Sequence, residues 1–153
     1  LLGGALKIGA IIGGAGADDA DRIYRFGESL GLAFQLQDDW LDVYGDPARF
    51  GKKIGGDILN NKKTYMLINA QRRAQGTDAG ELSRWLSATD YDPAGKIAAV
   101  TALYNRLGVG ELCLQQVDDY SRRAIEALQQ IAVPEAAKQP LYDLARSLIK
   151  RDH

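Results

Sequence analysis

Cysteine and histidine are almost missing from this chain: Cys113 and His153 are the only residues of their kinds. A lone thiol forms no internal disulfide, and one thiol with one imidazole cannot build a Cys/His zinc site. Any metal held here is therefore held by carboxylates, which favour hard cations such as Mg2+. A surplus of charge is missing too. The net charge of −1 leaves no excess of Lys and Arg of the kind that marks nucleic-acid or anionic-lipid binding, which argues against a nucleic-acid partner. Proline is scarce, and its four occurrences, Asp46-Pro47, Asp92-Pro93, Val133-Pro134 and Gln139-Pro140, read as loops or helix starts. A membrane-length apolar run is also lacking. The opening LLGGALKIGAIIGGAGA is interrupted by Lys7 and falls short of the roughly 20 apolar residues a bilayer needs, so no stable membrane insertion is expected.

What is present is helical periodicity almost throughout. The Gly- and Ala-rich opening reads as a helix packed closely against others. Because such a helix wants neighbours on most sides and the first residue is Leu1 rather than Met, the expectation is a protein whose beginning lies upstream. A long buried helix follows from Asp18 to about Tyr44, with Asp18 or Asp19 capping it and Ile23, Phe26, Leu30, Ala33, Leu41 and Tyr44 near helical spacing. Residues Gly45 to Asn61 form a Gly-rich loop with basic side chains. Helices are expected again from Lys62 or Lys63 to Gln75, from Gly80 to Ser87, from Pro93 through Leu107 and from Glu111 to Ile131. A last helix follows the Pro134 break and ends near Lys150. The fold class is all-α, and residues 1–153 read as a single domain.

The chemistry is concentrated in FQLQDDWLD, Phe34 to Asp42. On a helix, residues four apart lie one above the other, so Asp38 and Asp42 share a face while Asp39 is rotated by about 100°. Three carboxylates so close together repel one another unless a cation offsets the charge. Mg2+ offers that offset, since it commonly bridges one or two carboxylates to phosphate oxygens. The same face runs back through Phe34 or Gln35 to Gly31 and Gly27, which reads either as the small-residue wall of a cavity or as a surface for close helix packing. Lys52, Lys53, Lys62 and Lys63 return behind the carboxylates, and ammonium groups with nearby glycine N–H groups suit a diphosphate. Trp40, Trp85 and Cys113 read as packing residues.

From Phe34 to Tyr65 the sequence FQLQDDWLDVYGDPARFGKKIGGDILNNKKTY resembles the trans-isoprenyl diphosphate synthase, or polyprenyl synthetase, family. Its pattern runs Phe-Gln, DDxxD, Gly-Asp, Gly-Lys, Gly-x-Asp and Lys-x-Thr-Tyr. The resemblance implies a helical bundle around a central cavity, of which this chain is the C-terminal half with the second DDxxD motif; the half with the first motif is absent. It implies Asp38, Asp39 and Asp42 as Mg2+ ligands, with Asp38 foremost, and Gln35, Lys52 and Lys62 as contacts to an allylic diphosphate, with Phe34 also counted as substrate-binding. The implied activity is that of a prenyltransferase joining isopentenyl diphosphate to an allylic prenyl diphosphate, in a homodimeric enzyme; a cytoplasmic location is expected from the single cysteine and the lack of a targeting segment. The isolated 153 residues are expected to be inactive. One departure from pattern is Met66, where many relatives have proline. Two rival readings remain. A terpene cyclase shares DDxxD but lacks the Gly-Lys and Lys-x-Thr elements. A non-catalytic regulatory subunit has no need of three intact carboxylates.

Overall fold

Eight α-helices and no strand make up the described residues, 1–46 and 54–149, of the computed structural model. They are α1 Leu2–Ile12, α2 Ala17–Tyr44, α3 Gly56–Leu59, α4 Tyr65–Arg73, α5 Gly76–Ser87, α6 Pro93–Leu107, α7 Val109–Gln129 and α8 Glu135–Ile149. The all-α expectation holds. Among these residues no single helix is long and apolar enough to cross a membrane. The chain divides into two compact units, one drawn from Leu1–Gln37 and Gln116–Asp152, the other from Asp38–Gln115. The long helices α2 and α7 contribute residues to each.

In the first unit the apolar stripes of three helices meet: Phe26 and Leu30 from α2, Ala124 and Leu128 from α7, and Ala145 from α8, with Ile131 closing the cluster. Helix α1 lies against α2 where both have glycine. A Cβ on Gly3 would stand 2.7 Å from the Tyr24 carbonyl oxygen, and one on Gly27 would stand 2.8 Å from the Gly3 Cα. At Gly27 the close approach of α1 therefore leaves no room for a Cβ. Ile8, Ile11 and Ile12 of α1 remain exposed.

Two sequence expectations need correction here. Helix α2 begins at Ala17, so Asp18 and Asp19 lie in its first turn rather than at its cap. Asp19 instead accepts hydrogen bonds from Arg22 at 2.8 Å and from the Ala132 backbone N–H at 3.1 Å. Those bonds hold its carboxyl below the ordinary carboxylate range. Pro140, expected in a loop-like or helix-start setting, lies inside α8. Leu141, Leu144 and Leu148, which follow the ring in sequence, pack on the core, and that burial outweighs the missing backbone donor.

The second unit is organised around α6, which contacts α3, α4 and α5. Pro93 occupies the first turn of α6 as expected, and Asp92 caps it by accepting from the Gly95 N–H at 2.7 Å. Gly108 ends it in the left-handed region at φ 64°, a conformation that glycine adopts without steric cost. Three helix starts differ from expectation, that of α7 being Val109 rather than Glu111. Helix α4 begins at Tyr65 because the Thr64 hydroxyl accepts from the Leu67 N–H, which leaves Lys62 and Lys63 outside the helix. Helix α5 begins at Gly76 rather than Gly80. Met66 is fully buried, so it fills core space as well as sitting in the first turn of α4.

Cys113 is also fully buried. Burial first, and the charge of Asp39 second, push its thiol up to about 12. Thiolate is the reactive form, so a disulfide reagent at pH 8 is expected to label the native protein orders of magnitude more slowly than the denatured chain. Prompt labelling of the native protein would contradict the burial.

Candidate functional site

The second unit gathers the acidic end of α2 against the segment that follows. Two bonds fasten that segment to Asp42: the Gly55 N–H donates to its backbone carbonyl at 2.6 Å, and the Asp57 N–H donates to its carboxylate at 2.8 Å. Gly55 sits at φ 84° and caps the short helix α3, a backbone conformation that side chains with a Cβ rarely adopt. Its own Cβ, if present, would stand 2.5 Å from Ile97 Cδ1 of α6. Helix α3 is thus a single turn inside the stretch read from sequence as loop, and it carries Asp57 to Asp42.

The chain then turns back. The Lys62 N–H donates to the Asp57 carbonyl at 2.9 Å, and the Lys62 ammonium lies 2.9 Å from a carboxylate oxygen of Asp39 and 2.9 Å from one of Asp57. Asp39 is buried while the Lys62 side chain is about half exposed. The two carboxylates raise the ammonium's pKa, Asp57 contributing most. Burial, helped by the charges of Asp42 and Asp39, raises the Asp57 carboxyl despite the opposing pull of Lys62. Three carboxylates, Asp39, Asp42 and Asp57, thus crowd a partly desolvated corner with the Lys62 ammonium set between two of them.

Of the residues singled out from sequence, Asp38, Asp39, Asp42 and Lys62 all belong to this unit, and Lys62 does come back to the carboxylates. Phe34 and Gln35 belong to the first unit. There they line an open cleft of about 620 Å³ together with Gly31, Leu32, Leu2 and Leu148. A Cβ on Gly31 would find nothing nearer than Leu2 at 3.9 Å, so this position has room for a side chain, whereas at Gly27, which also borders the cleft, a Cβ would meet Gly3. Lys52 and Lys53 lie outside the described residues. Asp57 is the residue that sequence reasoning passed over: it stood in the quoted motif without a role, and only the α3 turn shows that it shares Lys62 with Asp39.

Carboxylate oxygens are the donors that a hard divalent cation prefers. Among the described residues no group of three or more His, Cys, Asp or Glu side chains is arranged to hold a metal by itself. The donor set fits a cation that binds through one or two carboxylates and takes its remaining ligands from water and phosphate, as Mg2+ does. In sequence analysis the offsetting cation was expected to be the metal; in this structure Lys62 offsets part of the same charge.

Comparison with known proteins gives concordant results. The sequence model of one family, described as Polyprenyl synthetase, matches residues 1–104. The short chain isoprenyl diphosphate synthase of Methanothermobacter thermautotrophicus is 32% identical over 153 residues, 100% of this chain and 46% of that protein. A geranylgeranyl diphosphate synthase of Mycobacterium tuberculosis is 33% identical over 155 residues, covering 99% of this chain and 42% of that protein. Among solved structures, a geranylgeranyl pyrophosphate synthase matches with a TM-score of 0.86 at 34% identity, over 99% of this chain and 47% of that one. A geranylgeranyl pyrophosphate synthase of Corynebacterium glutamicum, complexed with isoprenyl diphosphate and magnesium, matches with a TM-score of 0.80 at 29% identity, over 94% of this chain and 40% of that one. The chain spans less than half the length of each of these relatives.

Proposed function

We propose that this chain, which belongs to the polyprenyl synthetase family, supplies one side of the active site of a trans-isoprenyl diphosphate synthase, the side that grips the diphosphate of an allylic substrate. The observation that carries this reading is the placement of the Lys62 ammonium 2.9 Å from both Asp39 and Asp57. An acidic corner that already needs one cation is suited to accept another together with a polyanion. In this reading Asp38, Asp39 and Asp42 hold Mg2+, and Lys62, Lys52 and Gln35 contact the diphosphate, with Phe34 beside the allylic chain. Mg2+ bound there supplies Lewis-acid stabilisation of the charge that gathers on the departing diphosphate. The allylic carbon–oxygen bond breaks with both electrons leaving on diphosphate. The double bond of isopentenyl diphosphate then attacks the allylic cation, and loss of a proton restores neutrality and a trans double bond. Lys62 contributes a point charge to the leaving group, and the bond from the Asp57 N–H keeps the Asp42 carboxylate oriented without reorganisation at the moment of reaction. With one acidic motif, these residues alone are not expected to turn over substrate.

Calorimetric titration of the full-length protein with a non-hydrolysable allylic thiolodiphosphate tests the reading. Binding is expected with Mg2+ and is expected to disappear in excess chelator. Equal affinity in both conditions would overturn a metal-bridged diphosphate site.

A further inference from the structure

Lys96 is a charge hidden by the fold. It lies in the first turn of α6, is 1% exposed, and stands with Phe26 and Leu30 among the largest fully buried side chains. Removing an ammonium from water is costly unless its donors are satisfied, and the usual compensation is a carboxylate. Among the described residues the partners of Lys96 are neutral instead. Its Nζ donates to Asn61 Oδ1 at 2.9 Å and to the Leu59 carbonyl at 3.5 Å, and it lies 4.4 Å from the centre of the Tyr91 ring. The Tyr91 hydroxyl donates to the same Leu59 carbonyl at 3.4 Å. For stability alone, an apolar side chain of similar volume would serve as well or better at such a site. What an apolar chain cannot do is hold a carbonyl and an amide in place.

Both of those groups belong to the turn that leads into Lys62. Asn61 has φ 49°, the only positive value outside glycine among the described residues. Its amide is fixed at both ends, since Nδ2 donates to the Leu86 carbonyl at 3.0 Å while Oδ1 accepts from Lys96. The residue after it is Lys62. At the other end of the same segment, Ile97 packs against the glycine position Gly55. The start of α6, through Lys96 and Ile97, therefore braces both ends of the stretch that carries Asp57 to Asp42 and Lys62 to Asp39.

We propose that Lys96 is a positioning residue, whose buried ammonium holds the Asn61 turn so that Lys62 is delivered to Asp39 and Asp57 before any ligand arrives. The geometry of the brace is independent of the function proposed above; its consequence for an allylic diphosphate rests on that reading.

The test uses the full-length protein with Lys96→Met, which keeps length and removes charge, and Asn61→Gly, which permits the backbone conformation and removes the amide. The first readout needs neither metal nor substrate: the rate at which an amine-acylating reagent modifies Lys62, followed by peptide mass spectrometry with Lys63 as internal reference. Both variants are expected to speed modification of Lys62 several-fold and to leave Lys63 unchanged. The second readout is steady-state kinetics. The KM for the allylic diphosphate is expected to rise roughly tenfold, the scale of a lost charge-assisted hydrogen bond, while that for isopentenyl diphosphate stays nearly constant. In a Lys62→Ala background Lys96→Met is expected to add nothing, because the two act through one contact. Unchanged Lys62 modification in the folded variants would overturn the proposal, as would a lower melting temperature with modification and kinetics intact. Faster Lys62 modification with equal changes in both KM values would support the brace and instead overturn the assignment of Lys62 to the allylic diphosphate. If Lys96→Met does not fold, Asn61→Gly decides by the same readouts.

Discussion

Replacing Asp38 with alanine in the full-length protein is expected to lower turnover on the order of a hundredfold or more while leaving the helical signal unchanged. Asp38 is the informative position because the other two carboxylates of the motif hold the local framework together. Asp39 pairs with Lys62, and Asp42 accepts from the Asp57 N–H, so alanine at either would disturb the segment from Gly55 to Lys62 as well as any metal. Asp38→Ala leaves both bonds in place. Alanine also favours the helix and takes one negative charge from the acidic end of α2. The loss should appear in kcat, with a higher Mg2+ concentration needed for half-maximal rate, because the missing ligand serves a charge that develops as diphosphate departs. Near-normal turnover would remove Asp38 from the metal site. A fall in melting temperature matching the fall in activity would show that its role is structural.

Much of this corner could be read from sequence because its information is local. The spacing within DDxxD sets which carboxylates share a face of α2, and the short run of chain behind it returns Lys62 to them, although the helix expected from Lys62 or Lys63 starts only after the Thr64 cap. The parts that could not be read depend on contacts between segments far apart in the chain. Lys96 sits in an amphipathic pattern as one more polar residue, and nothing in its neighbours announces that α6 buries it against Leu59 and Asn61. Asp57 stood in the motif without a role, because what brings it to Asp42 is a single turn of helix, too short to leave a periodic signal. Pro140 failed as a punctuation mark for a different reason: the local penalty was read correctly, but the apolar residues around it bury enough surface to keep the helix going. Asp19 was read as a cap from its position near a helix start. Its actual partner, the Ala132 N–H, lies across the first unit and is invisible to any local rule.

The glycines of α2 show the same limit and yield the other large effect, this time on stability. Gly27 and Gly31 are one helical turn apart and alike in sequence, yet a Cβ would meet the Gly3 backbone at 2.8 Å in the first case and only the Leu2 Cβ at 3.9 Å in the second. Gly27→Ala carries two opposed terms. Alanine gains up to about 1 kcal/mol in helix propensity over glycine. Against that, the new methyl group meets the Cα and N of Gly3, backbone atoms that cannot rotate away, so α1 must move off α2 and loosen the packing of Leu2 and Leu6 around Phe26 and Leu30. Overpacking of this kind costs roughly 1–3 kcal/mol or more, and because the obstacle is backbone the upper part of that range is expected, giving a net loss of stability. Gly9→Ala in α1, where nothing lies within 4 Å of the added Cβ, is expected to stabilise by up to about 1 kcal/mol for the propensity term alone. Thermal or urea unfolding of the two variants side by side isolates the packing term, since both substitutions add one methyl group to one helix. If Gly27→Ala melts as high as Gly9→Ala, α1 does not seat on α2 through Gly3, and the face that begins at Gly31 extends as open wall to Gly27.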